Sequence, residues 1–228
     1  MLDRPRISFY IKDLLSALLL CTILAWLSGA ALAQDGKPTI LVFGDSLSAG
    51  YRMDIEDGWV ALLEGRLAEE GMAFRVVNAS ISGETTDGGL SRLPAALATH
   101  QPAVLILELG GNDGLRGLPV AHIRQNLERM VEMGQEAGAQ VLLTGIQIPP
   151  NYGPRYTGPF TSQYAEIAEK FDLPLVPFLI DGIPQQPALM QDDGIHPAAE
   201  AQHLILENVW PVLEPVLREL TPGQEPLS

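Results

Sequence analysis

A serine set among glycines could perform covalent chemistry in this chain. Ser46 lies in the segment GDSLSAG (Gly44–Gly50), directly after the apolar run Thr39–Phe43. This position predicts a tight turn at the end of a buried strand, with the serine hydroxyl exposed. Serine becomes an effective nucleophile only when a neighbouring base removes its proton. Because a helix-capping serine would show the same local pattern, the interpretation depends on finding that base.

The best candidates for the base are the four histidines of the chain. His196 follows Asp193 by three residues, on a turn that contains Gly194. This spacing lets the carboxylate accept a hydrogen bond from the imidazole Nδ1–H, which sets the tautomer and stabilises the protonated ring. Asp192 is one residue farther away and is interpreted as a solvated charge. The other histidines are interpreted as surface or helix-end residues: His100, His122 and His203.

Acyl transfer also requires hydrogen-bond donors for the negative charge that develops on the carbonyl oxygen. The segment GGND (Gly110–Asp113) supplies the side-chain amide of Asn112. The segment SGET (Ser82–Thr85) supplies the backbone N–H of Gly83, which no Cβ shields. With the N–H of Ser46, these groups predict an oxyanion hole built from three loops. Each residue taken alone is equally typical of an ordinary turn.

The elements that must position these residues follow from the hydrophobic pattern. Nearly continuous apolar runs predict strands buried on both faces, as in a parallel sheet: Thr39–Phe43, Arg75–Asn78, Val104–Leu109, Val141–Thr144 and Leu175–Phe178. Helical spacing between them predicts helices around Val60–Leu67, Ile123–Val131 and Phe160–Phe171, and a last one from about Ala198 with a break or kink near Pro211. The alternation predicts one doubly wound α/β domain of three layers, α/β/α, around a five-stranded, mainly parallel sheet.

The candidate residues fall in segments that such a fold would bring to one edge. The polar segments Gly44–Gly50, Ala79–Gly89 and Gly110–Gly117 each follow a predicted strand, and Asp192–His196 precedes the last helix. In an open α/β sheet, ligands bind beyond the carboxyl ends of the strands. We therefore expect the serine, the histidine and the donors to meet there.

Residues 1–33 are predicted to be a signal peptide. A basic start is followed by the uncharged, mostly apolar run Leu14–Leu27 and by Ala31-Leu32-Ala33, which suits signal peptidase. Cleavage after Ala33 would leave a hydrolase domain at 34–220 and a flexible tail at 221–228, in the periplasm or secreted. The alternative is an uncleaved membrane anchor, because Leu14–Ala33 is about long enough to span a bilayer.

The composition excludes several other chemistries and partners. The formal net charge is −14, which disfavours nucleic acid and lasting attachment to anionic membranes after signal cleavage. The single cysteine, Cys21, lies inside the predicted signal peptide. The predicted mature chain therefore has no thiolate nucleophile, cysteine-bound zinc or disulfide.

Four segments carry a resemblance to the GDSL or SGNH hydrolase family. They are GDSLSAGYRM (Gly44–Met53), VVNASISGETT (Val76–Thr86), LELGGNDGLRG (Leu107–Gly117) and MQDDGIHP (Met190–Pro197). The resemblance extends from about Ile40 to Trp210. It is strongest to a branch of small, broad-specificity periplasmic enzymes described as acyl-CoA thioesterase, arylesterase and lysophospholipase. It implies a flavodoxin-like fold.

Position by position, the resemblance implies a role for each candidate residue. Ser46 would be the nucleophile, Asp193 and His196 would complete the triad, and Gly83 and Asn112 would join the Ser46 N–H in the oxyanion hole. The implied substrates are small-molecule acyl esters and thioesters, and the reaction requires no metal or organic cofactor. The oligomeric state is not predicted.

An acyl groove is predicted beside these residues. The segment Ile146–Phe160 (IQIPPNYGPRYTGPF) reads as a long proline-rich loop that contains aromatic residues. The candidate substrate-binding residues lie in this loop or just after Asn112: Leu115, Leu118, Ile146, Ile148 and Tyr156. The alternative is that the loop residues only anchor the segment to the core.

Three other functions remain open from the sequence. One is removal of acetyl groups from carbohydrates, which hydrolases of this family also perform. Another is a metal-dependent phosphatase that uses four residues: Asp45, Asp113, Asp192 and His196. The third is a binding module without catalysis, which the intact Ser46, Asp193 and His196 argue against.

Overall fold

Short apolar runs form the five strands of one sheet in a computed structural model that describes residues 36–221. The strands are β1 (Thr39–Gly44), β2 (Arg75–Asn78), β3 (Val104–Glu108), β4 (Gln140–Thr144) and β5 (Leu175–Val176). The α-helices of this part are α1 (Trp59–Glu69), α2 (Thr86–His100), α3 (Gly111–Leu115), α4 (Val120–Glu136), α5 (Pro154–Phe171) and α6 (Gln202–Leu220). The chain from Pro38 onward forms one compact unit. The predicted signal peptide and the tail after Thr221 lie outside the described residues.

The strand order is β2-β1-β3-β4-β5, and each neighbouring pair is parallel. This confirms the predicted α/β class and the flavodoxin-like arrangement. The chain leaves β1 towards one side of the sheet for β2 and reaches β3 on the other side. The loops after β1 and β3 therefore diverge at a topological switch point, which opens a crevice at the carboxyl ends of the strands.

Alternating side chains of the sheet fill two separate cores. Ile40 and Val42 of β1 pack with the buried residues of α1 and α6. Leu41 and Phe43 point to the opposite face and pack with the buried residues of α2, α4 and α5. Successive strand residues point to opposite faces. The domain is thus a three-layer α/β/α sandwich with both sheet faces covered, as the continuous apolar runs predict.

Two predicted elements differ from the structure. The segment Ile146–Phe160 is not one long loop: it contains a 3₁₀ turn (Pro150–Tyr152), and α5 begins at Pro154. Proline at the first helical position is favourable because its missing N–H needs no partner there. Of the break or kink predicted near Pro211, the break is absent, since α6 continues past this residue to Leu220.

Smaller differences concern strand ends and one helix. The fifth strand is only Leu175–Val176, shorter than predicted. The helix α2 was not among the predicted helices, and its interior contains Pro94. No helix among residues 36–221 combines the length and apolar character needed to cross a membrane.

Candidate active site

The turn that follows β1 presents Ser46. The carbonyl of Asp45 accepts hydrogen bonds from the N–H groups of Ser48 (3.3 Å) and Ala49 (3.0 Å), so the chain reverses directly after the strand. The carboxylate of Asp45 accepts a further bond from the Leu47 N–H at 3.0 Å. These bonds close the turn around Ser46 and leave its side chain partly exposed towards the crevice.

The loop that carries His196 is closed at its base and turned by a glycine. Met190 and Pro197 form an antiparallel bridge, and the Gln191 N–H donates to the His196 carbonyl at 2.8 Å. Gly194 adopts φ 66°, a left-handed conformation that favours glycine. The Gln191 side chain donates to the carbonyl of Tyr51 at 2.9 Å. The loop is therefore tied to the segment after the serine turn.

Ser46, His196 and Asp193 form a continuous chain of polar contacts. His196 Nε2 lies 2.8 Å from Ser46 Oγ, although the two residues are 150 positions apart. His196 Nδ1 lies 2.8 Å from Asp193 Oδ2. If Nδ1 carries the ring proton and donates to the carboxylate, Nε2 is free to accept the serine proton. This is the geometry that activation of a serine requires.

Asp193 is held so that its charge faces the imidazole. Its Oδ1 accepts hydrogen bonds from the N–H groups of Ile195 and His196, both at 3.0 Å. Partial burial opposes ionisation of Asp193, but these two bonds and the His196 ring outweigh it and lower its pKa to about 2. The carboxylate therefore stays ionised down to strongly acidic pH. Tyr51 covers the histidine ring, with the ring centroids 4.3 Å apart.

The two loops predicted to supply oxyanion donors lie in different environments. Gly83 is exposed and has φ +81°, and a Cβ built on it would meet nothing within 4 Å. Asn112 lies at the start of α3 and lines the crevice. Its Nδ2 donates to Asp45 Oδ2 at 3.0 Å. Among residues 36–221, the N–H groups of Ser46 and Gly83 donate to no other protein group.

Two buried carboxyl groups lie under the serine turn, and the sequence reasoning missed Glu108. Glu108 Oε2 accepts from the Asp45 N–H at 3.0 Å and from the Ser48 hydroxyl at 2.8 Å. Burial, together with the charge on Asp45, raises the pKa of Glu108 well above its usual value. Burial also raises the pKa of Asp45, to about 6, against the opposing effect of its Leu47 and Asn112 bonds. Glu108 could have been selected from the sequence, because it is a carboxyl residue in an otherwise apolar strand.

A mostly apolar cavity of about 550 Å³ opens beside Ser46 and His196. Of the predicted substrate-binding residues, Leu115, Ile146 and Ile148 line it. Leu118 and Tyr156 do not: both are partly buried against the core on the side of the sheet that α2, α4 and α5 cover, and the Tyr156 hydroxyl donates to the Leu118 carbonyl at 2.6 Å. The alternative of anchoring the segment to the core therefore describes Tyr156, and Leu118 packs against the same core.

Further apolar lining comes from the segments after β5, which the sequence reasoning did not select. These residues are Phe178, Leu179, Ile180, Pro184, Met190 and Ile195. The rule that ligands bind at the carboxyl ends of parallel strands applies to β5 as well as to β1 and β3. This rule could have identified the apolar residues after β5 from the sequence.

The residues proposed for a metal-dependent phosphatase do not converge on one point. The carboxylate of Asp113 is buried and accepts from Thr86 N–H and Oγ1, the latter at 2.6 Å. Asp192 is exposed and lines a separate cleft. Residues 36–221 contain no group of three or more His, Cys, Asp or Glu side chains placed to share a metal ion.

Comparison with known proteins shows which family and which proteins this chain is similar to. Residues 42–204 match the GDSL-like Lipase/Acylhydrolase family. The chain is 53% identical over 197 residues to Esterase TesA of Pseudomonas aeruginosa, covering 86% of this chain and 96% of that one. It is 45% identical over 179 residues to Thioesterase 1/protease 1/lysophospholipase L1 of Escherichia coli K12, covering 78% of this chain and 85% of that one. The crystal structure of the esterase EstA from Pseudoalteromonas sp., inhibited by monoethylphosphonate, matches with a TM-score of 0.76 at 43% identity. The match covers 80% of this chain and 100% of that one.

Proposed function

Because the chain belongs to the GDSL-like lipase/acylhydrolase family and is an ester and thioester hydrolase, we propose that its reaction runs through an acyl-enzyme on Ser46. The observation that supports this most strongly is the contact of 2.8 Å between Ser46 Oγ and His196 Nε2. Covalent catalysis by serine needs a base within hydrogen-bond reach and a third group that orients the base. His196 and Asp193 meet both requirements.

The reaction begins when Ser46 Oγ attacks the acyl carbonyl carbon. His196 Nε2 takes the hydroxyl proton, and the Asp193 carboxylate stabilises the imidazolium through Nδ1–H. The carbonyl oxygen becomes an oxyanion and accepts from the Ser46 and Gly83 N–H groups and from the Asn112 amide. His196 then donates its proton to the departing alcohol or thiol, which leaves the acyl group on Ser46.

Deacylation repeats the same steps with water as the nucleophile. His196 removes a proton from the water, the oxyanion forms again in the same hole, and the Ser46–acyl bond breaks. The proton returns to Ser46 Oγ and the free acid departs. The chain's own residues supply every group in this cycle, and Asp193 remains ionised throughout because of its lowered pKa.

The acyl chain of the substrate lies in the apolar cavity. The cavity volume of about 550 Å³ is within the range of small-molecule sites. Leu115, Ile146 and Ile148 provide one wall and the segments after β5 another. A carbohydrate acetyl ester would leave this aliphatic surface in contact with water. The lining therefore favours esters and thioesters of longer acyl chains, and we place the active protein outside the cytoplasm on the strength of the predicted signal peptide.

Covalent labelling tests the nucleophile. The purified protein is incubated with an alkylphosphonate ester, and the phosphonylated peptide is identified by mass spectrometry. The label should appear on Ser46 with complete loss of activity. Ser46→Ala should block both labelling and hydrolysis. Ser48→Ala is the matched control, since Ser48 is a buried serine two residues away whose hydroxyl bonds Glu108, and this variant should still be labelled at Ser46.

A substrate panel tests the acyl assignment. Rates are measured on aryl esters and acyl-CoA thioesters of graded chain length and on an acetylated sugar. Preference for chains longer than acetyl would support the cavity as the acyl site. A faster reaction with the acetylated sugar would favour the carbohydrate esterase instead. Hydrolysis by Ser46→Ala at the rate of the unmodified protein would overturn the acyl-enzyme altogether.

A further inference from the structure

The carboxylate of Asp45 joins the nucleophile turn to the oxyanion loop. Its Oδ1 accepts from the Leu47 N–H at 3.0 Å, and its Oδ2 accepts from Asn112 Nδ2 at 3.0 Å. Asp45 lies between these two contacts with 2% of its surface exposed. One buried side chain therefore contacts both the loop after β1 and the helix that follows β3.

The immediate surroundings hold Asp45 in this position. Its N–H donates to Glu108 Oε2 at 3.0 Å, which ties its backbone to β3. A Cβ on Gly111 would lie 3.2 Å from Asp45 Oδ2, closer than ordinary van der Waals contact. Glycine at position 111 thus leaves the carboxylate enough room to approach the start of α3. Asp45 has little freedom to turn away from Asn112.

The chemistry of a carboxylate decides which way the Asn112 amide faces. A carboxylate only accepts hydrogen bonds, whereas an amide carries an accepting oxygen on one side and a donating NH₂ on the other. Asp45 therefore holds the NH₂ group of Asn112 and repels its carbonyl oxygen. One amide hydrogen is bound by Asp45, and the second remains for another acceptor. A freely rotating amide would present its oxygen to the crevice part of the time.

We propose that Asp45 is a positioning residue that fixes the amide of Asn112 with its NH₂ group towards the oxyanion. This inference rests on the proposed acyl-enzyme mechanism and adds a residue that does not touch the substrate. The carboxylate acts through Asn112, because a correctly held donor needs no reorganisation when charge develops on the carbonyl oxygen. The side chain of Asp45 contacts the serine turn through the Leu47 N–H bond, whereas the other bonds of Asp45 to the turn and to Glu108 use its backbone and remain in a side-chain variant.

Asp45→Asn separates these two roles. The Asn oxygen can still accept from the Leu47 N–H, which directs the new NH₂ group towards Asn112. Two NH₂ groups cannot pair, so the Asn112 amide should turn its oxygen to position 45 and withdraw its donor. We expect kcat to fall by about 10²-fold with KM within a few-fold, close to the loss of an oxyanion donor. If Asp45→Asn does not fold, Asp45→Ser is used in its place. This variant keeps an oxygen near Leu47 but cannot reach Asn112.

A double-mutant cycle with Asn112→Ala tests whether the effect passes through Asn112. The double variant should have a kcat within about threefold of Asn112→Ala alone, because the amide that Asp45 positions is already gone. Thr39→Val is the control for the loss of a partly buried hydrogen bond: Thr39 accepts from Arg75 at the amino end of β1, far along the strand from the site. It should lower Tm and keep kcat.

The outcomes distinguish failure of this inference from failure of the proposed function. Equal losses from Asp45→Asn in the wild-type and Asn112→Ala backgrounds would overturn the positioning role. A lowered Tm with unchanged kcat in Asp45→Asn would also overturn it, because this result is expected of a purely structural residue. If Asn112→Ala itself keeps normal kcat, the oxyanion hole is wrong, and the proposed mechanism fails before Asp45 is considered.

Discussion

Glu108 Oε2 occupies the space where a side chain on Gly44 would begin: a Cβ built on Gly44 would lie 2.4 Å from it. The two residues are register partners in the parallel pair β1 and β3, so their side chains point to the same face. Gly44 does not have a positive φ. Glycine is required before Asp45 and Ser46 because a carboxyl group packs against the backbone there.

Gly44→Ala should therefore destabilise the fold and slow the reaction. The new Cβ would displace Glu108, whose oxygen holds the Asp45 N–H, and overpacking of this kind costs about 1–3 kcal/mol. Thermal unfolding and kcat on one preparation provide the measurement. Gly65→Ala in α1 is the matched control, since its Cβ would meet nothing within 4 Å. That variant should gain about 0.5–1 kcal/mol. Equal Tm values for the two variants would contradict the steric explanation.

Asp193→Asn should keep the fold and lose on the order of 10⁴ in kcat, because the amide no longer sets the His196 tautomer. Asp192→Asn provides the control, as this neighbouring carboxylate is exposed and no hydrogen bond joins it to His196 within the described residues. Its kcat should stay within a few-fold of the wild-type value. Steady-state kinetics on both variants decide the matter, and a loss below tenfold in Asp193→Asn would point to a different orienting group.

The contribution of Asp45 to stability should rise as the pH falls from about 7 to about 4.5. Burial raises the pKa of Asp45 to about 6 from 3.8, so the folded state binds a proton there more tightly than the unfolded chain does. The charged groups that face Asp45 are His196, Asp113 and Glu108. Removing the Asp45 charge also takes away part of what raises the pKa of Glu108, so both buried carboxyl groups change the difference in the same direction. The Tm difference between wild type and Asp45→Asn should therefore shift in favour of wild type at the lower pH. A difference that does not change with pH would show that Asp45 ionises normally.

Acyl-chain preference should change when a larger side chain replaces Leu115 in the cavity wall. Leu115→Phe puts a larger side chain into the cavity and leaves less room for the acyl chain, so the preferred chain should become shorter, and each CH₂ that is no longer buried loses about 0.8 kcal/mol. Leu118→Phe is the matched control three residues away, outside the lining. The ratio of kcat/KM between long and short esters measures the effect. The same shift in both variants would mean that the cavity does not hold the acyl chain.

Export should remove the first 33 residues. The basic start, apolar run and Ala31-Leu32-Ala33 predict that the mature protein begins at Gln34. N-terminal sequencing of protein recovered from outside the cytoplasm provides the measurement. Full-length chain in the membrane fraction would support the anchor alternative instead.

The sequence by itself determined the first four strands to within a residue, the fold class and the segments that carry chemistry. Apolar runs buried on both faces depend on local composition, and β1, β3 and β4 match their predicted ranges to within a residue. Asp193 and His196 could be paired from spacing alone, because three residues and one glycine turn set their contact. The family resemblance rests on similarly short segments.

Only the tertiary structure decided which distant groups meet. The contact between Ser46 and His196 joins residues 150 positions apart, and the one between Asp45 and Asn112 joins residues 67 positions apart. Hydrophobic periodicity specifies each element but not the order β2-β1-β3-β4-β5, which brings these loops together. Tyr156 packs against the core because it belongs to α5. This helix begins at Pro154, whereas the polar, proline-rich sequence before Phe160 predicts a loop. Side-chain direction follows from the element that carries a residue and from its neighbours, and both are long-range properties of the packed chain.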